Sequence, residues 1–132
     1  MNVLWKNASK SGDDQAILDL LDSGADVNAR DRYGQTALML SALSGYTEVV
    51  EILIAYQADL NITAKYGLSA LMLALIAGHT DVAELLVKAG ANLSLRASGV
   101  PGFAGKTAYD LAVERGMLEL SVELEPIPMN LT

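Results

Sequence analysis

The sequence contains no cysteine, a single histidine, three prolines, one tryptophan and one phenylalanine. Without cysteine there is no disulfide framework, and every thiolate zinc site is excluded. The lone His79 has no second histidine for a metal set, and no cysteine or neighbouring base makes a triad with it. It follows Gly78 in GHTDV, where a packing and capping role is expected. No apolar run nears the roughly 20 residues that a bilayer-spanning helix needs. The opening MNVLWKNASKSGDD lacks a long apolar core and soon turns acidic, which does not read as a signal peptide. A reducing, cytoplasmic setting is the resulting expectation. Positive charge is also scarce: 9 Lys and Arg against 16 Asp and Glu leave a net charge of −7. That balance opposes phosphate backbones, so nucleic acid is not an expected partner, and neither is a membrane.

What the sequence does have is a recurring phrase. The 132 residues are 52% apolar and 19% charged, the composition of one folded domain rather than a disordered chain. YGQTALMLSALSGYTEVVEIL begins at Tyr33, and YGLSALMLALIAGHTDVAELL begins 33 residues later at Tyr66. Gly12, Gly45 and Gly78 keep the same interval, as do Gly24, Gln57 and Gly90. Gly34 and Gly67 are followed by Gly105, and Gly78 by Gly116, both at 38 residues. One insertion of five residues within 94–105 explains both longer steps. A fixed period of this size marks stacked repeats.

Each period predicts two short helices. Thr36 is a natural N-cap for Ala37–Leu43, and Gly45 supplies the terminating glycine. Thr47 opens a second helix with Glu48 in its first turn, where the helix dipole favours negative charge, and Val49, Ile52 and Leu53 form an apolar stripe. Ser69, Gly78, Thr80, Asp81, Val82, Leu85 and Leu86 repeat the plan. Ala37, Ala70 and Ala108, with Ala42, Ala74 and Ala112, allow close helix approach. The segments DVNARDRYG and DLNITAKYG mix short apolar alternation with turn residues and predict projecting hairpins. A helix pair cannot bury both apolar faces alone, so stability must come from stacking.

This pattern resembles the ankyrin repeat family. The family's TPLHxA element appears as Thr36-Ala37-Leu38-Met39-Leu40-Ser41, Ser69-Ala70-Leu71-Met72-Leu73-Ala74 and Thr107-Ala108-Tyr109-Asp110-Leu111-Ala112, and its GADVNA element as Gly24 to Ala29. The resemblance covers about residues 3–125. It implies an all-α solenoid of about four helix-pair repeats with short β-hairpin loops. The expected units are a capping repeat at 1–30, repeats at 31–63 and 64–96, a C-terminal repeat with an extended hairpin insertion at 97–125, and a tail at 126–132. Alanine stands in place of the family's proline in each of the three units that carry the element. Met39, Met72 and Asp110 stand where the family has histidine, so packing is expected to replace those hydrogen bonds. The first unit lacks the TPLH element, and Trp5 is expected to cover the open end of the core.

No residue constellation promises catalysis. Asp13–Asp14, Glu48–Glu51 and Asp81–Glu84 fall on or before second helices, as dipole complements and solvated faces. Asp26, Asp59 and Asn92 share one column and read as turn-formers, not calcium ligands. GVPGFAG lacks the strand, lysine and helix of a phosphate loop. A non-enzymatic chain without cofactor or metal is expected.

A surface remains. By the repeat, the finger tips carry Arg32, Tyr33 and Gln35, then Lys65, Tyr66 and Leu68, then Phe103 and Lys106, while first-helix ends add Leu43, Ile76 and Arg115. In the family, this concave side usually meets partners. Rigid rings and arginine are the types enriched at binding hot spots. The expected function is a protein-binding module, monomeric, for a folded partner with an acidic or mixed surface. An inhibitor or immunity-type protein that neutralises an enzyme, or a self-assembling module, are the alternatives.

Overall fold

The computed structural model describes residues 1–99 and 102–125; the predicted tail at 126–132 lies outside them. Among the described residues eight α-helices follow one another as α1 (Val3–Ser11), α2 (Asp14–Asp22), α3 (Ala37–Ser44), α4 (Thr47–Ala55), α5 (Ala70–Ala77), α6 (Thr80–Lys88), α7 (Ala108–Glu114) and α8 (Leu118–Leu124). The caps read from the sequence form as expected. Thr36 and Ser69 each accept a hydrogen bond from the backbone N–H three residues on, at 3.3 Å. Thr107 and Asp110 cap each other's backbone N–H in a reciprocal box. The residue replacing the family's histidine in this unit is therefore a capping group.

Each odd-numbered helix packs on its even-numbered successor, and each pair packs on the next. The result is two rows, α1, α3, α5 and α7 inside and α2, α4, α6 and α8 outside. Residues 37–42 and 70–75 are buried all round, because α3 and α5 have a helix on either side and the outer row behind. Leu38, Met39, Leu71, Met72 and Leu75 from the inner row meet Ile17, Leu53, Leu86 and Leu120 from the outer row in one continuous core. Truncating any such leucine to alanine costs about 2–5 kcal/mol.

Two periodic devices register the stack. Asn28 Oδ1 accepts the N–H of Asp59, and Asn61 Oδ1 accepts the N–H of Asn92, both at 2.8 Å. Asp26, Asp59 and Asn92 each accept an N–H two residues on at 2.9 Å, the turns read from the sequence. At the helix-to-helix corners, the ring of Tyr46 lies against Gly12 and that of His79 against Gly45.

The loops depart from expectation in one respect. The fingers contain no β-strand among the described residues. The first closes with two backbone bonds, Asp31 N–H to Gln35 O at 2.9 Å and Gly34 N–H to Asp31 O at 3.0 Å. The Asp31 carboxylate takes the N–H groups of Tyr33 and Gln35 that a longer ladder would use. Trp5 also differs: it is 2% exposed inside the core and donates its indole N–H to Asp26 O, while Val3 and Leu4 face solvent.

Candidate functional site

Inner helices α3, α5 and α7 each begin at one of three fingers in a row, and each finger is held differently. Asp31 anchors the first. Its Oδ1 accepts the N–H groups of Tyr33 and Gln35 at 2.9 Å each, and its Oδ2 faces Lys6 Nζ at 3.5 Å without accepting a hydrogen bond. The side chain is 3% exposed, and burial by itself pushes the carboxyl up. The two N–H groups and the Lys6 charge outweigh that and hold it below the ordinary value of 3.8.

The second finger has Ala64 where the first has Asp31, so no carboxylate braces it. It folds as a short 3₁₀ turn over Lys65–Gly67 in which Tyr66 takes a left-handed φ of 68°. A non-glycine residue there stores strain, of order 1 kcal/mol or more. The third finger holds this shape from outside. Ser98 donates its N–H to Tyr66 O at 2.7 Å, and a Cβ added at Gly99 would lie 3.2 Å from the Tyr66 ring. The extra residues of the third finger thus buttress the second, with Arg96 closing their loop onto Gly105 O at 2.6 Å. Val100 of the insertion lies outside the described residues.

Tyr33 and Tyr66 wall one open cleft of about 300 Å³ between the first two fingers. Gln35, Ala64, Lys65 and Leu68 complete its sides, and Leu73 of α5 forms its floor. Tyr33 is 56% exposed and Tyr66 41%. Cations lie over both rings: Arg32 at 5.1 Å and Lys6 at 5.5 Å from the Tyr33 centroid, Lys65 at 4.9 Å from that of Tyr66.

Of the residues singled out in the sequence, Tyr33, Gln35, Lys65, Tyr66 and Leu68 line this cleft, and Arg32 flanks it. The others lie apart from it. Leu43 is exposed on the last turn of α3, Ile76 is half-buried, and Phe103 is half-buried against the core. Lys106 is paired with Glu114, and Arg115 is exposed at the end of α7. Sequence reasoning missed Asp31, Lys6 and Leu73. Only the contrast between Asp31 and Ala64 in one repeat column hinted at the first, and nothing in the spacing joined α1 to the first finger.

The opposite face is its electrical reverse. The four outer helices carry nine carboxylates against the single cation Lys88. On that side Tyr56 donates to Asp22 at 2.6 Å, a bond that raises the phenol's pKa. Among the described residues, no group of three or more His, Cys, Asp or Glu could hold a metal ion, and no helix is long and apolar enough to cross a membrane.

The family model for ankyrin repeats, in three copies, matches residues 5–97. An ankyrin repeat protein of Rickettsia felis is 40% identical over 52 residues, which cover 39% of this chain and 82% of that one. The mitochondrial disaggregases of Bos taurus and Homo sapiens are 46% and 44% identical over 48 residues. That match covers 36% of this chain and spans only 7% of either disaggregase.

Proposed function

Because the chain belongs to the ankyrin repeat family, we propose that its finger and inner-helix face docks a folded protein partner without catalysing a reaction on it. Ankyrin repeats are generally protein–protein interaction modules, and the family is typically non-catalytic. The observation that carries the choice of face is the pair of exposed tyrosines, Tyr33 and Tyr66, walling one cleft with Leu68 and Leu73. Rings presented in a concave setting bury area with little loss of side-chain freedom. A standard interface would cover about 800 Å² on this side. In this reading the protein works as a monomer in the cytoplasm.

The test compares affinity purification by the wild-type chain and by the Tyr33→Ala/Tyr66→Ala variant, with circular dichroism confirming that both fold. A set of proteins retained by the first and lost from the second supports the face. Equal retention removes it.

Self-association has one observation in its favour. Leu4 is 69% exposed, although its counterparts Ala37, Ala70 and Ala108 are buried against a preceding unit. At the other end Val113 is 44% exposed, whereas its counterpart Leu75 is fully buried by the next unit. Light scattering that finds a concentration-dependent mass above 14.0 kDa would favour this second reading.

A further inference from the structure

We infer that the cleft between the first two fingers takes one large apolar side chain of the partner, flanked by carboxylates that pair with Arg32 and Lys65. This rests on the face proposed above and names the chemistry it recognises.

Charge at the cleft is the first support. Most of the finger-side cations are already engaged: Lys6 faces Asp31, Lys106 pairs with Glu114, and Arg96 and Arg30 reach the carbonyl oxygens of Gly105 and Thr63. Arg32 and Lys65 have no carboxylate within ion-pairing distance among the described residues; each lies over a tyrosine ring instead. The two free cations therefore stand one on each side of the cleft. An incoming lysine or arginine would meet two like charges and find the ring faces already taken, so a basic ligand is repelled. A carboxylate meets two unsatisfied partners.

Shape is the second. About 300 Å³ is the low end for a small-molecule site, and the cleft is open to solvent. Leu68 and Leu73 give it an apolar wall and floor, with the Gln35 amide and the two tyrosine hydroxyls its uncharged polar groups. That lining suits a single anchoring side chain better than a polar cofactor. The strained backbone of Tyr66, held by Ser98, keeps one wall in place before the partner arrives.

Selection from a random peptide library displayed on phage, with the intact protein as target, tests the assignment. Enriched peptides should share a large apolar residue with Asp or Glu within two positions of it. Their affinity should fall by about tenfold or more when Arg32→Glu and Lys65→Glu are combined. Both positions are exposed, and circular dichroism checks the fold. Selection on the reversed variant should enrich Lys or Arg around the same apolar residue. Enriched peptides lacking acidic residues, unchanged affinity after charge reversal, or no enrichment over an unrelated target would each overturn the assignment. Peptides weakened by Leu43→Glu or Arg115→Glu, but not by the reversal, would sink the cleft and leave the face standing. Peptides whose chemical-shift changes map to the outer helices would sink both.

Discussion

Gln57 follows the C-terminal cap of α4 at a φ of 67°, in the column where Gly24 and Gly90 sit at 94° and 96°. Its side chain is exposed, so the glutamine brings strain at this position without burial to offset it. Replacing it by glycine removes a left-handed cost of about 1–2 kcal/mol and adds a smaller unfolded-state entropy. Gln57→Gly should therefore raise stability by about 0.5–1 kcal/mol in urea denaturation; a loss of stability would show that this loop is not strained. Asp31 allows a test with a pH sign. Its folded pKa is lowered, so its contribution is present above 3.8 and is lost as pH falls below that value. Asp31→Asn should cost about 1 kcal/mol at neutral pH, and the gap from wild type should narrow near pH 3. A gap that stays constant across that range would mean that the carboxylate charge does not hold the finger. In the sequence Gln57 stands out only as the non-glycine of a glycine column and Asp31 only by contrast with Ala64, and what each contributes is recognised once φ and burial are known.

Helices were legible in the sequence because their signals are local. Thr36, Ser69 and Thr107 announce the caps, and the glycines at 45 and 78 announce the ends, each within one turn of the event. The fingers were less legible because distant groups shape them: Lys6 on α1 for the first, Ser98 of the third for the second. The spacing of Tyr33 and Tyr66 did foretell a shared surface. The cleft floor at Leu73 and the pairing of Lys106 with Glu114 were invisible, since both depend on packing rather than spacing. Trp5 misled for a similar reason: its position in the first unit suggested a lid, whereas its column is the buried one that holds Leu38 and Leu71. The corners between helices give this scale its own test. Gly45 has a φ of 77°, and a Cβ there would lie 2.6 Å from His79 Nδ1. Gly45→Ala should destabilise by about 1–3 kcal/mol. In the His79→Ala background part of that loss should vanish, leaving the backbone component; a double-mutant cycle with no coupling would mean that the ring does not pack on the corner.

Across the whole molecule, each helix pair is stabilised chiefly by the pairs beside it, since among the described residues no contact of size links helices of units further apart. The inner row packs more closely than the outer, where nine carboxylates crowd with one lysine and repel one another along the stack. Opening should therefore begin at the ends and on the outside, and spread inward. The six residues 37–42 and their counterparts 70–75 are buried on every side, while Leu4 at one end and Val113 at the other lie open. Amide exchange followed by mass spectrometry should find the slowest exchange in α3 and α5, intermediate rates in α4 and α6, and the fastest in α1, α2, α7 and α8. The two tyrosines of the cleft sit on the loops that lead into these most protected helices, so the proposed face would be the part of the molecule least disturbed by fraying. Uniform protection from α1 to α8 would show a single cooperative unit, and the nearest-neighbour picture would have to be abandoned.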